Sequence, residues 1–150
     1  VTITQYGRLD LNGQNPTTGL LIGTAGSVAN DAASPSTLTL HSDDATPRTF
    51  AGVIQDGSGA VSISKSGTGT QIFSGDNTYS NGTTISAGTL LVNNTTGSGT
   101  GANTVSVQAA ATLGGTGTIA GATTIDGTLA SGSNGVGKLT FGNGLAVNGT

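Results

Sequence analysis

The residues able to do nucleophilic, acid–base or metal chemistry are few, and several fall in one short segment. His41, Ser42, Asp43 and Asp44 stand side by side, the residue types of a Ser-His-Asp hydrolase or of an oxygen-rich metal site. A nucleophilic site also requires an oriented base and an oxyanion hole, and no motif supplies them. A single His in a polar loop just ahead of Pro47 reads as solvent-exposed. Asp43-Asp44 and Asp76-Asn77 offer oxygen ligands to calcium. The Gly-Gly-x-Gly-x-Asp calcium repeat is not met, because Gly114-Gly115-Thr116-Gly117-Thr118 runs on into Ile119. All seven acids are Asp (Asp10, Asp31, Asp43, Asp44, Asp56, Asp76, Asp126), scattered and mostly beside Gly or Ser. Glycoside cleavage needs two carboxylates facing each other across a groove, whereas this scatter suits corner residues. Tyr79 and Phe73 read as core cover at a corner rather than sugar-stacking rings. No catalytic, metal or cofactor residue is therefore assigned.

The elements that must carry these side chains follow from composition. Gly, Thr, Ser and Asn number 27, 27, 15 and 11 of 150 residues, and only 7% are charged, for a net charge of −3. The cations are Arg8, Arg48, Lys65 and Lys138, too few and too dispersed for the basic footprint of a nucleic-acid binder. The longest apolar runs, Leu20-Leu21-Ile22 and Leu90-Leu91-Val92, fall far short of the ~20 residues of a membrane-spanning helix. With no Cys there is no disulfide or thiolate metal site, and the redox compartment stays open. The start, Val1-Thr2-Ile3-Thr4-Gln5, has neither the charged nor the apolar region of an export signal.

Gly and Thr disfavour helix interiors, and the one helix-friendly patch, Gln108-Ala109-Ala110-Ala111, is too short to stand alone. Short alternating segments remain: Thr2-Ile3-Thr4, Arg8-Leu9-Asp10-Leu11, Thr37-Leu38-Thr39-Leu40, Val61-Ser62-Ile63-Ser64, Thr70-Gln71-Ile72-Phe73, Thr83-Thr84-Ile85, Thr104-Val105-Ser106-Val107, Lys138-Leu139-Thr140-Phe141 and Leu145-Ala146-Val147. Each reads as a half-buried strand. A Gly/Ala-Thr-Leu step recurs at Gly88, Ala111 and Gly127, with Gly-Thr again at Gly149, giving offsets of 23, 16 and 22; Thr-Thr-Ile recurs at Thr83 and Thr123, offset 40. Irregular offsets near twenty, each holding two or three short strands, predict coils of a parallel β-helix with loops of variable length. Stacked coils put like above like at ~4.8 Å, so corners call for Gly and Asn, small aliphatics fill the interior and Thr lines the outside. A β-sandwich is the alternative, but 3% aromatics is a poor supply for its core.

Residues 61–92 hold Lys65-Ser66-Gly67-Thr68-Gly69-Thr70, then Ser74-Gly75-Asp76-Asn77-Thr78-Tyr79, then Gly82-Thr83-Thr84-Ile85 and Gly88-Thr89-Leu90. This ordered series resembles the autotransporter passenger-associated β-strand repeat, departing only at Asn81, where a second Gly is common. Arg48–Gly57 and Thr112–Ile119 look like its flanks, so the resemblance covers about residues 48–147, with residues 1–47 alike in composition only. It implies one continuous right-handed parallel β-helix over residues 1–150, belonging to an extracellular or bacterial cell-surface protein, and it implies no catalytic activity. In such proteins the repeat forms a stalk, and no translocating barrel fits in 150 residues of β-helix. The Asn-x-Thr sequons at Asn81, Asn93, Asn94 and Asn148 would matter only in a secreted eukaryotic protein.

Exposed strand edges recruit further strands unless they are capped. Neither Val1, Thr2, Ile3 and Thr4 nor Leu145, Ala146, Val147, Asn148, Gly149 and Thr150 carries a charge or Pro cap. Reading Gly149-Thr150 on into Val1-Thr2-Ile3 of a second molecule continues the internal pattern, so the expectation is a structural subunit that stacks head to tail with itself into a fibre. The alternatives are a stalk or adhesin segment facing a cell surface or extracellular matrix, and a carbohydrate-active β-helix enzyme.

Overall fold

The computed structural model describes residues 1–132 and 136–150, and among these there is no helix. Short strands alternate with corners along the chain. The first two coils hold β1 (Arg8–Asp10), β2 (Thr17–Thr18), β3 (Ser27–Ala29) and β4 (Ser36–His41). The third holds β5 (Arg48–Phe50), β6 (Val53–Ile54) and β7 (Val61–Ser66), the fourth β8 (Thr70–Phe73) and β9 (Thr83–Ile85), and the fifth β10 (Gly88–Val92) and β11 (Val105–Val107). The last two hold β12 (Ala111–Gly115), β13 (Thr118–Ile119), β14 (Thr123–Ile125), β15 (Thr128–Ser131), β16 (Thr140–Phe141) and β17 (Leu145–Val147).

Among the described residues every strand ladder is parallel and joins one coil to the next, with one isolated antiparallel bridge between Gly115 and Gly132, which makes the chain a β-solenoid. The largest sheet runs β2-β4-β7-β9-β11-β14-β17, a second runs β5-β8-β10-β12-β15, and the third face holds β1-β3-β6 and, further on, β13-β16. The repeats legible in the sequence are the registers of these ladders. Gly88 pairs with Ala111, Thr112 with Thr128, and Thr150 donates its N–H to the Gly127 carbonyl at 2.9 Å. The two Thr-Thr-Ile segments lie two coils apart, with Val105-Ser106-Val107 paired between them.

The interior is built from inward ladders. One climbs Leu40, Lys65, Ile85, Val107, Ile125, Val147, and another Leu38, Ile63, Thr83, Val105, Thr123, Leu145. Phe50 and Phe73 stack on the second sheet, with Leu90 and Leu113 beside them, and all four are fully buried. Each such side chain contributes about 1.5–3 kcal/mol through burial, and because inward positions are shared between neighbouring coils, small aliphatics close the core.

Two local expectations differ, the strand at Thr2–Thr4 and the length of the one at Lys138–Phe141, while the helix-friendly patch at Gln108–Ala111 is no helix. Thr2-Ile3-Thr4 is not a strand: Thr2 makes one isolated parallel bridge to Ile22, and the chain turns at once as Gly7 donates its N–H to the Thr4 carbonyl at 2.9 Å. Gln108–Ala110 forms a turn, closed by the Ala111 N–H on the Gln108 carbonyl at 2.8 Å, and Ala111 opens β12. Lys138-Leu139-Thr140-Phe141 is a strand only at Thr140–Phe141.

Candidate functional site

The segment with most chemistry, His41 to Asp44, leaves β4 and turns toward β5. Parallel register sets His41 beside Ser66 of the next coil, and the His41 Nδ1 lies 3.1 Å from the Ser66 Oγ. The neighbouring Ser42 instead accepts the Asp44 N–H at 3.1 Å. The His41 Nε2 stands 3.8 Å from the Asp43 carboxylate, with both side chains more than half exposed; that is an ion-pair separation beyond hydrogen-bond range, so no acid orients the imidazole as a hydrolase base requires. The serine beside the imidazole is Ser66 and not the adjacent Ser42, because parallel register brings it from the following coil.

The carboxylates are engaged in holding corners. Asp43 accepts the Thr68 N–H at 2.8 Å, one coil on, and that bond, ahead of a weaker one from the Thr68 hydroxyl, draws its pKa below the usual carboxylate value. Asp44 accepts the Thr46 N–H at 2.9 Å and Arg48 at 3.0 Å, and the Thr46 bond does most to lower its pKa. Asp10 takes the N–H groups of Asn12 and Asp31 and is lowered chiefly by the latter. Asp31 pairs with Arg8, Asp56 accepts the Val61 and Ser80 N–H groups, Asp76 accepts that of Ser98, and Asp126 that of the Asn148 amide. Among the described residues, no three His or Asp side chains gather as metal ligands. Among the described residues no helix is long and apolar enough to cross a membrane.

The less obvious functional residues are buried polar side chains that stitch coils together. The third face carries no strand ladder between β6 and β13, only separate backbone bonds such as the Thr78 N–H to the Ile54 carbonyl and the Gly99 N–H to the Thr118 carbonyl, and these are reinforced by the side chain of Asn77. Its Oδ1 accepts the Ile54 N–H at 2.8 Å from the coil before, and its Nδ2 donates to the Gly99 carbonyl at 2.7 Å in the coil after. Asn30 does the same between Gly13 and Ser34 or Ala60. Gln71 accepts the Leu21 N–H and donates to the Leu21 and Arg48 carbonyls. Lys65, fully buried in an aliphatic ladder, points its Nζ at the carbonyls of Ser66, Gly67 and Ala87, at 2.8, 2.9 and 3.4 Å; burial lowers its pKa. Tyr79, also fully buried, joins its hydroxyl to the Thr83 Oγ1, and burial raises its pKa far above the ordinary tyrosine value. Tyr79 and Phe73 are thus core side chains, as their sequence context suggested. The signal for the buried amides was present in the motif spacing, but an amide reads as a turn residue until the register shows which backbone groups it faces.

Residues 63–92 match the family model of the passenger-associated-transport-repeat. This stretch is similar to a passenger-associated-transport repeat. It spans β8, β9 and β10 whole and carries Lys65, Gln71, Asn77 and Tyr79, so four of the buried polar stitches belong to it. The repeat places the chain outside the bacterial cell or on its surface. Over 88 residues, 59% of the chain, it is 41% identical to the adhesin BmaC autotransporter of Brucella suis biovar 1 (strain 1330); the chain spans about 2% of that relative's length. No solved structure gives a significant match.

The ends foreseen as assembly edges are tied to the adjoining coil. The Val1 amino group donates to the Leu20 carbonyl at 2.9 Å, Ile3 is 5% exposed, and Leu145, Ala146 and Val147 pair with Thr123, Thr124 and Ile125. Asn148 and Gly149 both donate their N–H to the Ile125 carbonyl, and Thr150 accepts the Leu129 N–H.

Proposed function

We propose that the chain is a stalk or adhesin segment of an autotransporter-type surface protein and carries no catalytic activity. The observation that carries this reading is the transport repeat at residues 63–92, whose polar side chains are spent inside the solenoid on joining coils. The adhesin relative supports it from outside. The carboxylates and the imidazole hold backbone groups, ion pairs and a neighbouring hydroxyl, an arrangement suited to a rigid spacer rather than to proton transfer. Head-to-tail stacking through residues 1–4 and 145–150 has no support of its own among these observations.

The test is to fuse the chain to a translocating β-barrel domain, express it in a Gram-negative host and treat intact cells with protease. The reading expects the folded segment outside, released by cleavage at the fusion joint and resistant within its coils. A segment retained inside the cell, or one degraded throughout on arrival, overturns it.

A further inference from the structure

The outer side of the seven-stranded sheet carries a column of hydroxyls in register. Thr39, Ser64, Thr84, Ser106 and Thr124 stack on five successive coils. Hydroxyls on either side are already used: Thr37 is bonded to Ser62 at 2.9 Å, Ser66 to His41, and Ser86 donates to the Lys65 carbonyl. Among the described residues, those of the central column have no partner on the protein, and each keeps its donor and acceptors for something outside. Next to this column, Gly82 stands where Ser62 and Thr104 stand in the coils before and after. A groove of about 400 Å³ runs there, walled by Ser62, Asn81, Thr84, Thr104 and Ser106.

We propose that this groove and column bind a neutral glycan laid along the solenoid axis, about one sugar per coil; this deepens the adhesin reading and rests on it. The coils advance by ~4.8 Å, close to the step of a hexose in an extended chain, so successive sugars meet equivalent hydroxyls. No charged side chain lines the groove. A polyanion would find no free cation there, since Lys65 is buried and Arg8 and Arg48 pair with Asp31 and Asp44. A second copy packing sheet to sheet would need apolar side chains, and this face presents hydroxyls. Each hydroxyl pair contributes little net, so one segment binds weakly and many displayed on one cell bind strongly.

The test uses the whole 150-residue chain, isotope-labelled and titrated with cellohexaose, xylohexaose and mannohexaose while amide shifts are followed. At least one sugar is expected to shift amides around Ser64, Thr84 and Ser106, and Thr84→Val, which keeps shape and β-propensity, to weaken that binding roughly fivefold. Thr112→Val, in the hydroxyl column of the neighbouring sheet and outside this groove, should bind as the parent does. No shift with any of the three sugars, shifts confined to other faces, or equal weakening by both variants overturns the proposal. Adherence of cells displaying the same proteins separates the two readings. Sugar binding without adherence removes the adhesin role and leaves the site, while adherence without sugar binding removes the site alone.

Discussion

Replacing Asn77 with Leu should open the solenoid at its third face. The substitution keeps the branched shape and the number of heavy atoms and removes both ends of a buried amide, which is 2% exposed. The Ile54 N–H then loses its acceptor and the Gly99 carbonyl its donor, bonds now made at 2.8 and 2.7 Å. A buried polar group left unpaired costs about 1–3 kcal/mol, so the pair costs about 2–6 kcal/mol, a large part of the 5–15 kcal/mol typical of a folded domain. At roughly 2–4 °C per kcal/mol for a chain of this size, Tm falls by roughly 4–24 °C. Because coils in a solenoid respond mainly to their neighbours, thermal unfolding should be read together with hydrogen exchange, in which the Ile54 amide loses protection first. The exposed Asn81→Ala serves as the control and stays within about 0.5 kcal/mol. If Asn77→Leu matches that control in both Tm and Ile54 exchange, the view that interior amides replace missing strand pairing is wrong.

Glycine geometry gives a second contrast: at Gly115, with φ +117°, an added Cβ would lie 2.1 Å from the Val92 carbonyl, so Gly115→Ala should abolish folding as judged by circular dichroism. Gly144→Ala has open space and should cost only the left-handed backbone penalty of about 1–2 kcal/mol. The buried Tyr79 stays protonated while the unfolded chain ionises near pH 10, so stability is held below pH 10 and lost above it by about 1.4 kcal/mol per pH unit; denaturant titrations of Tyr79→Phe should lack that slope. Lys65 has the opposite sign, since its lowered pKa favours protonating the unfolded chain, so the parent gains stability as pH rises toward 10.5. Lys65→Met should lose that gain. His41→Ala removes an exposed side chain that is hydrogen-bonded to Ser66 and only within ion-pair range of Asp43, and should change the unfolding free energy by under about 0.5 kcal/mol and leave adherence intact.

Much of the fold was legible because a solenoid writes its register into its sequence. The offsets from Gly88 to Ala111 and from Ala111 to Gly127 anticipate the pairing of β10, β12 and β15, and alternation marked β4, β7, β8 and β9. Strands such as β2 and β13, two residues each, are too short to show a period and exist through pairing alone. The inward Lys65 was illegible for a related reason. Its alternation with Ile63 fits a strand, but only the fold shows the corner carbonyls that make a buried ammonium tolerable. The groove at Gly82 likewise depends on which residues of other coils flank that glycine, Ser62 on one side and Thr104 on the other.

The most direct test of the functional reading is adherence. Bacteria displaying the chain on a translocating barrel should bind cultured epithelial cells more than bacteria displaying the barrel alone, and heat-unfolding the displayed segment should remove the difference. Equal binding by the two strains, with the folded segment demonstrably at the surface, would contradict an adhesive role and leave the chain as spacer only.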